Sequence, residues 1–105
     1  MRTSDVTVVR VYITEGEHQL DHLIATLKQT EEVRGLSVFR AVAGFGPSGN
    51  FHTTNFTDLS LDLPLILEMF DEPGKMQRVV KQLSQLVKPG HIITWSARTN
   101  IDGKN

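Results

Sequence analysis

Val6-Thr7-Val8-Val9-Arg10-Val11-Tyr12-Ile13-Thr14 is the stretch from which the fold is read. β-Branched residues dominate it and bias the backbone toward the extended region, so it predicts a first strand. The period of two places Val9, Val11 and Ile13 on one face and Val8, Arg10 and Tyr12 on the other. Thr14 and Glu17 then have the spacing of a capping box. Beyond them Leu20, Leu23, Ile24 and Leu27 recur at i, i+3, i+4 and i+7, which predicts an amphipathic helix facing a core, with Gly35 able to end it.

Outward from this βα unit the elements repeat. Leu36 to Phe45 predicts a second strand, Gly46 to about Leu61 a long polar loop, and Leu63 to Phe70 a third strand. Asp71-Glu72-Pro73 marks a helix start, with proline in the first turn, where its missing N–H costs nothing. Met76, Val79, Val80, Leu83, Leu86 and Val87 carry the helical spacing until Lys88-Pro89-Gly90 stops it. His91 to Ala97 supplies the last strand, and 99–105 is expected to be a polar, frayed tail behind a folded core at 6–98. A chain of 105 residues holds one modest core, hence a single domain over 1–105. The order βαββαβ predicts an α+β ferredoxin-like sandwich, a four-stranded antiparallel sheet with both helices on one face. Apolar side chains nevertheless occur at both parities, Leu36, Val38 and Val42 against Phe39, Ala41 and Ala43, and Ile92 against Ile93 and Trp95. A solvated face would alternate to polar, so the second face is expected to meet another copy of the chain.

Charge and composition remove several classes of function. Eleven basic residues oppose twelve acidic ones, for a formal net charge of -1, and no stretch concentrates lysine and arginine as a nucleic-acid surface would. Cysteine is absent, which excludes disulfides, thiolate catalysis and thiolate metal sites. Met1-Arg2-Thr3-Ser4-Asp5 is not followed by a signal-peptide apolar run, and nowhere do about eighteen apolar residues stand together. The expectation is a cytoplasmic protein with no nucleic-acid partner and no membrane insertion.

Chemistry concentrates in Arg40-Ala41-Val42-Ala43-Gly44-Phe45-Gly46-Pro47-Ser48-Gly49-Asn50-Phe51-His52-Thr53-Thr54. Gly44, Gly46 and Gly49 permit close backbone approach and positive φ, and successive N–H groups in such a turn form an anion-binding nest. The spacing matches neither GxxxxGK[ST] nor GxGxxG. His18 and His22 stand at i, i+4 near Glu15 and Glu17, a metal-binding spacing, yet they oppose the apolar stripe and read as a solvated helix face. Asp58, Asp62 and Glu68 are not accompanied by a base, a nucleophile and an oxyanion donor, so no active site is expected and the chain is read as a non-enzyme.

Three separated motifs now align. Gly44-Phe45-Gly46, then His52-Thr53, then Asp62-Leu63-Pro64, with an acidic residue at Glu68, resemble the PII nitrogen-regulatory proteins and, more closely, their uncharacterised PII-like branch, domain of unknown function 190. The resemblance implies a compact homotrimer with ligand sites in the clefts between subunits. Those clefts would be built from Gly44, Phe45, Gly46 and Ser48 at the loop base, His52 and Thr53, Lys88, Gly90 and His91 in the turn before the last strand, and Arg98. It implies a small, nucleotide-like ligand such as an adenine nucleotide. It also implies a regulated partner, a membrane transporter or an enzyme, addressed through the 46–61 loop. There are departures. His91 stands where PII carries a phosphate-binding lysine, with Lys88 as substitute, Leu65 replaces another lysine, and Ser48 replaces the glutamine that helps hold Mg and 2-oxoglutarate. The only tyrosine is Tyr12, so the loop has none to modify. The alternative carried by the same general fold is a trimeric divalent-metal-handling protein using His18, His22, His52 or His91.

Overall fold

A computed structural model describes residues 1–30, 32–45, 51–53 and 64–102. The elements are β1 (Thr3–Ile13), α1 (Glu17–Thr30), β2 (Gly35–Arg40), β3 (Ala43–Phe45), β4 (Phe51–Thr53), β5 (Leu65–Asp71), α2 (Pro73–Leu83) and β6 (Ile92–Asn100). β2, β5, β1 and β6 lie side by side in that order in one sheet, every neighbouring pair antiparallel, and β3 pairs with β4 in a separate two-stranded ribbon. The expected α+β sandwich is therefore present, with β5 inserted between the two strands that flank α1.

Parity sets the core. Val9 opposite Met69, Val11 opposite Leu67 and Ile13 opposite Leu65 share the face covered by the helices. With Leu23 and Leu27 of α1 and Met76, Val79 and Leu83 of α2 they form one buried cluster. Each such side chain contributes roughly 1.5–3 kcal/mol through removal from water. Asp71, 3% exposed, ends β5 and joins three segments. Its carboxylate accepts the backbone N–H of Arg34 at 2.8 Å, the N–H of Glu72 at 2.7 Å and Lys75 Nζ at 3.0 Å. Burial raises its pKa, but the hydrogen bonds from Glu72, Lys75 and Arg34 outweigh that and leave it below the ordinary value.

Several boundaries differ from those expected. The second strand does not run from Leu36 to Phe45, because β2 stops at Arg40. Ala41 N–H donates to Pro64 C=O at 3.0 Å, but a proline has no N–H to return, so the ladder ends there. Accordingly the third strand begins at Leu65 rather than Leu63. The stretch expected to be loop from Gly46 to Leu61 contains β4, and its other residues lie outside those described. The N-terminal cap of α1 is not the Thr14–Glu17 box: Gln19 Oε1 reaches back to accept the N–H of Glu15 at 3.2 Å, and Gly16 turns the chain with φ 88°. α2 ends at Leu83, short of Val87, where the backbone tightens to i→i+3 bonds, Gln85 N–H to Gln82 C=O and Leu86 N–H to Leu83 C=O. Val87 stays buried all the same. Finally, β6 runs on to Asn100, Ile101 N–H donates to Arg2 C=O at 3.0 Å and Arg2 pairs with Asp102, so 99–102 belong to the fold rather than to a frayed tail.

Candidate functional site

The glycine-rich motif and the His-Thr pair are brought together by β3 and β4. Gly44 stands opposite His52, Ala43 opposite Thr53 and Phe45 opposite Phe51. Gly44 is extended and does not use the positive φ that a glycine permits, since among the described residues only Gly16 and Gly90 have positive φ. A Cβ added at Gly44 would meet nothing within 4 Å. Among the described residues no steric need explains a glycine there. Gly46 and Ser48 lie outside the described residues.

Lys88, Pro89, Gly90 and His91 form a tight turn. His91 N–H donates to Lys88 C=O at 3.2 Å, proline occupies the second position and Gly90 the third with φ 86°, the type II arrangement. The turn is tied to the sheet because Tyr12 N–H donates to His91 C=O at 2.9 Å. Lys88 Nζ lies 3.8 Å from Glu15 with both side chains exposed, a weak pair that an anion could replace. Beside the turn, a groove of about 320 Å³ runs between the end of α2 and β6, lined by Val80, Val87, Lys88, Gly90, Ile92 and Thr94.

Arg98 is held apart from both groups. Its Nε and Nη2 donate to Thr3 Oγ1 at 2.8 and 2.6 Å and its Nη1 to Asp5 at 3.1 Å. β2, which leads into the Gly44 ribbon, and β6, which carries the turn and Arg98, are opposite edges of the sheet. Three strand spacings separate those edges, about 14 Å. Ile92 pairs with Val11 and Arg98 with Asp5, so the turn and Arg98 are also at opposite ends of β6. The residues expected to line one cleft thus form three groups within a single chain.

His18 and His22 are both exposed on α1. With Glu15, Gln19, Asp21 and Leu86 they border an open groove of about 600 Å³. Among the described residues no three His, Cys, Asp or Glu side chains are placed to hold a metal ion. The feature the motifs did not reveal is a charged row on the open sheet face, where Arg10 pairs with Glu68 at 2.6 Å and lies 5.5 Å from the centre of the Trp95 ring. Its sequence signal was a charge at an alternating position in otherwise apolar strands. Only the register shows that the two charges are opposite one another.

This arrangement resembles known proteins at two levels. A UPF0166 protein of Methanocaldococcus jannaschii is 29% identical over 91 residues, covering 82% of each chain. Among solved structures, a putative PII-like signaling protein from Thermus thermophilus matches with a TM-score of 0.63 at 14% identity, over 94% of this chain and 91% of that one. CPII from Thiomonas intermedia K12, solved bound to ADP and bicarbonate, matches with 0.63 at 10% identity, over 93% and 91%. The divalent ion tolerance protein CutA1 of Ehrlichia chaffeensis matches with 0.61 at 4% identity, over 95% and 85%. At these identities the structures establish the PII-like, ferredoxin-like fold. No helix among the described residues is long and apolar enough to cross a membrane. The family model for DUF190, "Uncharacterized ACR", matches residues 6–99, and the chain belongs to that family.

Proposed function

We propose that this protein is a non-enzymatic PII-like regulatory module. It binds a small, nucleotide-like ligand in clefts between the subunits of a homotrimer and reports occupancy to a partner protein, a transporter or an enzyme, through residues 46–61. The observation that carries this reading is the separation of its three candidate groups. Gly44 leaves from one sheet edge, while Lys88–His91 and Arg98 lie at the two ends of the other. A cleft built from them needs a second copy. The open glycine position at Gly44 supports it, because a backbone without a side chain allows close approach by a ligand or by a neighbouring chain. CPII, which shares the fold, was solved with ADP and bicarbonate, which directs attention to an adenine nucleotide and a small anion. The missing phosphate-binding lysine at His91 favours a diphosphate or monophosphate over a triphosphate.

Isothermal titration with ADP, AMP, ATP, cyclic AMP and bicarbonate tests the reading on the assembled protein. The expected result is saturable heat for at least one adenine nucleotide, together with a changed pattern of protease cleavage between residues 46 and 61. Absence of heat for the whole series, with no shift in Tm, would remove it. The divalent-metal alternative rests on the shared fold with CutA1 and on His18 and His22. It is decided separately by the metal content of untagged protein.

A further inference from the structure

The sheet face turned away from the helices has a polar centre in an apolar surround. Register places Ser37, Glu68, Arg10 and Ile93 in one row across the four strands. The row of Phe39, Ile66 and Tyr12 lies on one side of it, and that of Phe70, Val8 and Trp95 on the other. Phe39, Ile93 and Trp95 are 50%, 47% and 41% exposed, whereas Val9, Val11, Leu67 and Met69 on the helix-bearing face are fully buried. The face is therefore apolar enough to associate but has an ion pair on its two central strands, β1 and β5.

The bonding of that pair is one-sided. Arg10 Nε and Nη2 both donate to the same carboxylate oxygen, Glu68 Oε1, at 3.0 and 2.6 Å. The intrachain pair does not use Oε2, and of the five donors in the planar guanidinium fork another is directed to the Tyr12 side chain, which leaves some to spare. Each copy thus has a donor and an acceptor side by side on an apolar face, an arrangement complementary to itself under rotation. Covering such a face with apolar groups would leave a desolvated ion pair with unmet hydrogen bonds, at a cost of several kcal/mol per ion. A second copy seated head to tail meets that need with the same two residues.

We propose that Arg10 and Glu68 close a ring about the centre of the homotrimer, Arg10 of each copy bonding Glu68 of its own chain through Oε1 and Glu68 of the next copy through Oε2. This rests on the trimer of the proposed function and adds what sets its register. A slip of two residues along the strands would set Arg10 against Ile66 or Phe70 and strand the charge. The apolar rows supply the affinity, and the ring restricts assembly to one register that closes.

Sedimentation velocity over a wide concentration range tests this. It is read together with the emission of Trp95, the only tryptophan in the chain, which touches Arg10 and reports burial of the face. Wild type is expected to sediment as one trimeric species with blue-shifted emission. E68Q and R10Q each leave an unmatched partner, so the dissociation concentration should rise by more than about a hundredfold, as for breaking a buried ion pair. The charge exchange R10E/E68R should restore a single trimer to within about tenfold of wild type, and R10L/E68L should associate as a mixture of sizes. Circular dichroism confirms that each variant is folded, and the exchange variant keeps the test valid if a single variant is not. A wild-type trimer whose E68Q and R10Q variants assemble as tightly and as uniformly overturns the ring alone. So does a uniform R10L/E68L trimer. A wild type that remains monomeric overturns the trimer itself, and the ring with it.

Discussion

The ring of Phe70 lies over the Cα of Gly35, its partner in the β2–β5 ladder, so closely that any Cβ at Gly35 would overlap the ring edge. Gly35 is needed in this fold for contact rather than for chain reversal, since its φ is not positive. The ring fills the space that the missing side chain leaves beside an edge strand.

Gly35→Ala is therefore expected to lower stability by about 1–3 kcal/mol, the usual range for overpacking. Adding Phe70→Leu should recover part of the loss, because the shorter side chain vacates the contested space. Urea denaturation of the two single variants and the double variant measures the coupling directly.

Asp71 should make the fold acid-sensitive. Its folded-state pKa is depressed below the ordinary 3.8, so the stability it contributes is present above that value and is lost as pH falls through the folded pKa. Unfolding free energy should thus be level from neutral pH down to about 5 and fall below about 4. Asp71→Asn should cost about 2–4 kcal/mol at pH 7, since Lys75 loses its carboxylate and keeps only the C=O of Glu32, while the N–H groups of Arg34 and Glu72 keep a weaker acceptor. The variant's stability should change less between pH 5 and pH 2.5 than that of wild type. Parallel pH-dependent melts check both slopes.

Gly44→Ala separates ligand recognition from folding. With open space around the added methyl, stability should change by less than about 0.5 kcal/mol. Nucleotide affinity should fall by about tenfold, about 1.4 kcal/mol, if a ligand or neighbouring chain approaches that backbone. Calorimetry paired with a thermal melt reads the two quantities on one sample. Unchanged affinity would move the site away from the ribbon.

Gly90→Ala acts in the opposite way. Its φ of 86° is strained for any residue with a side chain, so a loss of about 1–2 kcal/mol is expected, with the turn carrying Lys88 and His91 displaced. Both stability and ligand response should decline. Repeating the titration well below the variant's Tm shows how much of the lost response comes from the site.

Two periodicities were enough to read the architecture. Alternation in Val6–Thr14, the apolar run of the Leu63–Phe70 stretch, and the i, i+3, i+4 spacing of Leu20–Leu27 and Met76–Leu83, are local properties. They gave the order of elements, because burial of one stripe or one parity is written into neighbouring residues, whereas the fold decided which sheet face bears the helices, since apolar side chains stand at both parities. The three motifs that placed the chain beside PII were local as well. Boundaries were less legible where a single group ended an element. Pro64 closes the β2–β5 ladder by lacking a donor, and the turn after Leu83 tightens although the apolar spacing continues.

Pairing could not be read in the same way. That Gly44 faces His52, that Gly35 accommodates Phe70, that Asp71 collects the N–H of Arg34 and that Arg10 meets Glu68 depend on strand register and order. Those partners lie between 8 and 58 positions apart in the chain. Register is set by the summed burial of whole strands, not by any one residue, and so emerges only when the sheet is assembled. The motifs therefore named the candidate ligand residues. The fold showed that the candidate ligand residues are divided among three places in one chain, and that a charged pair lies at the centre of the uncovered face.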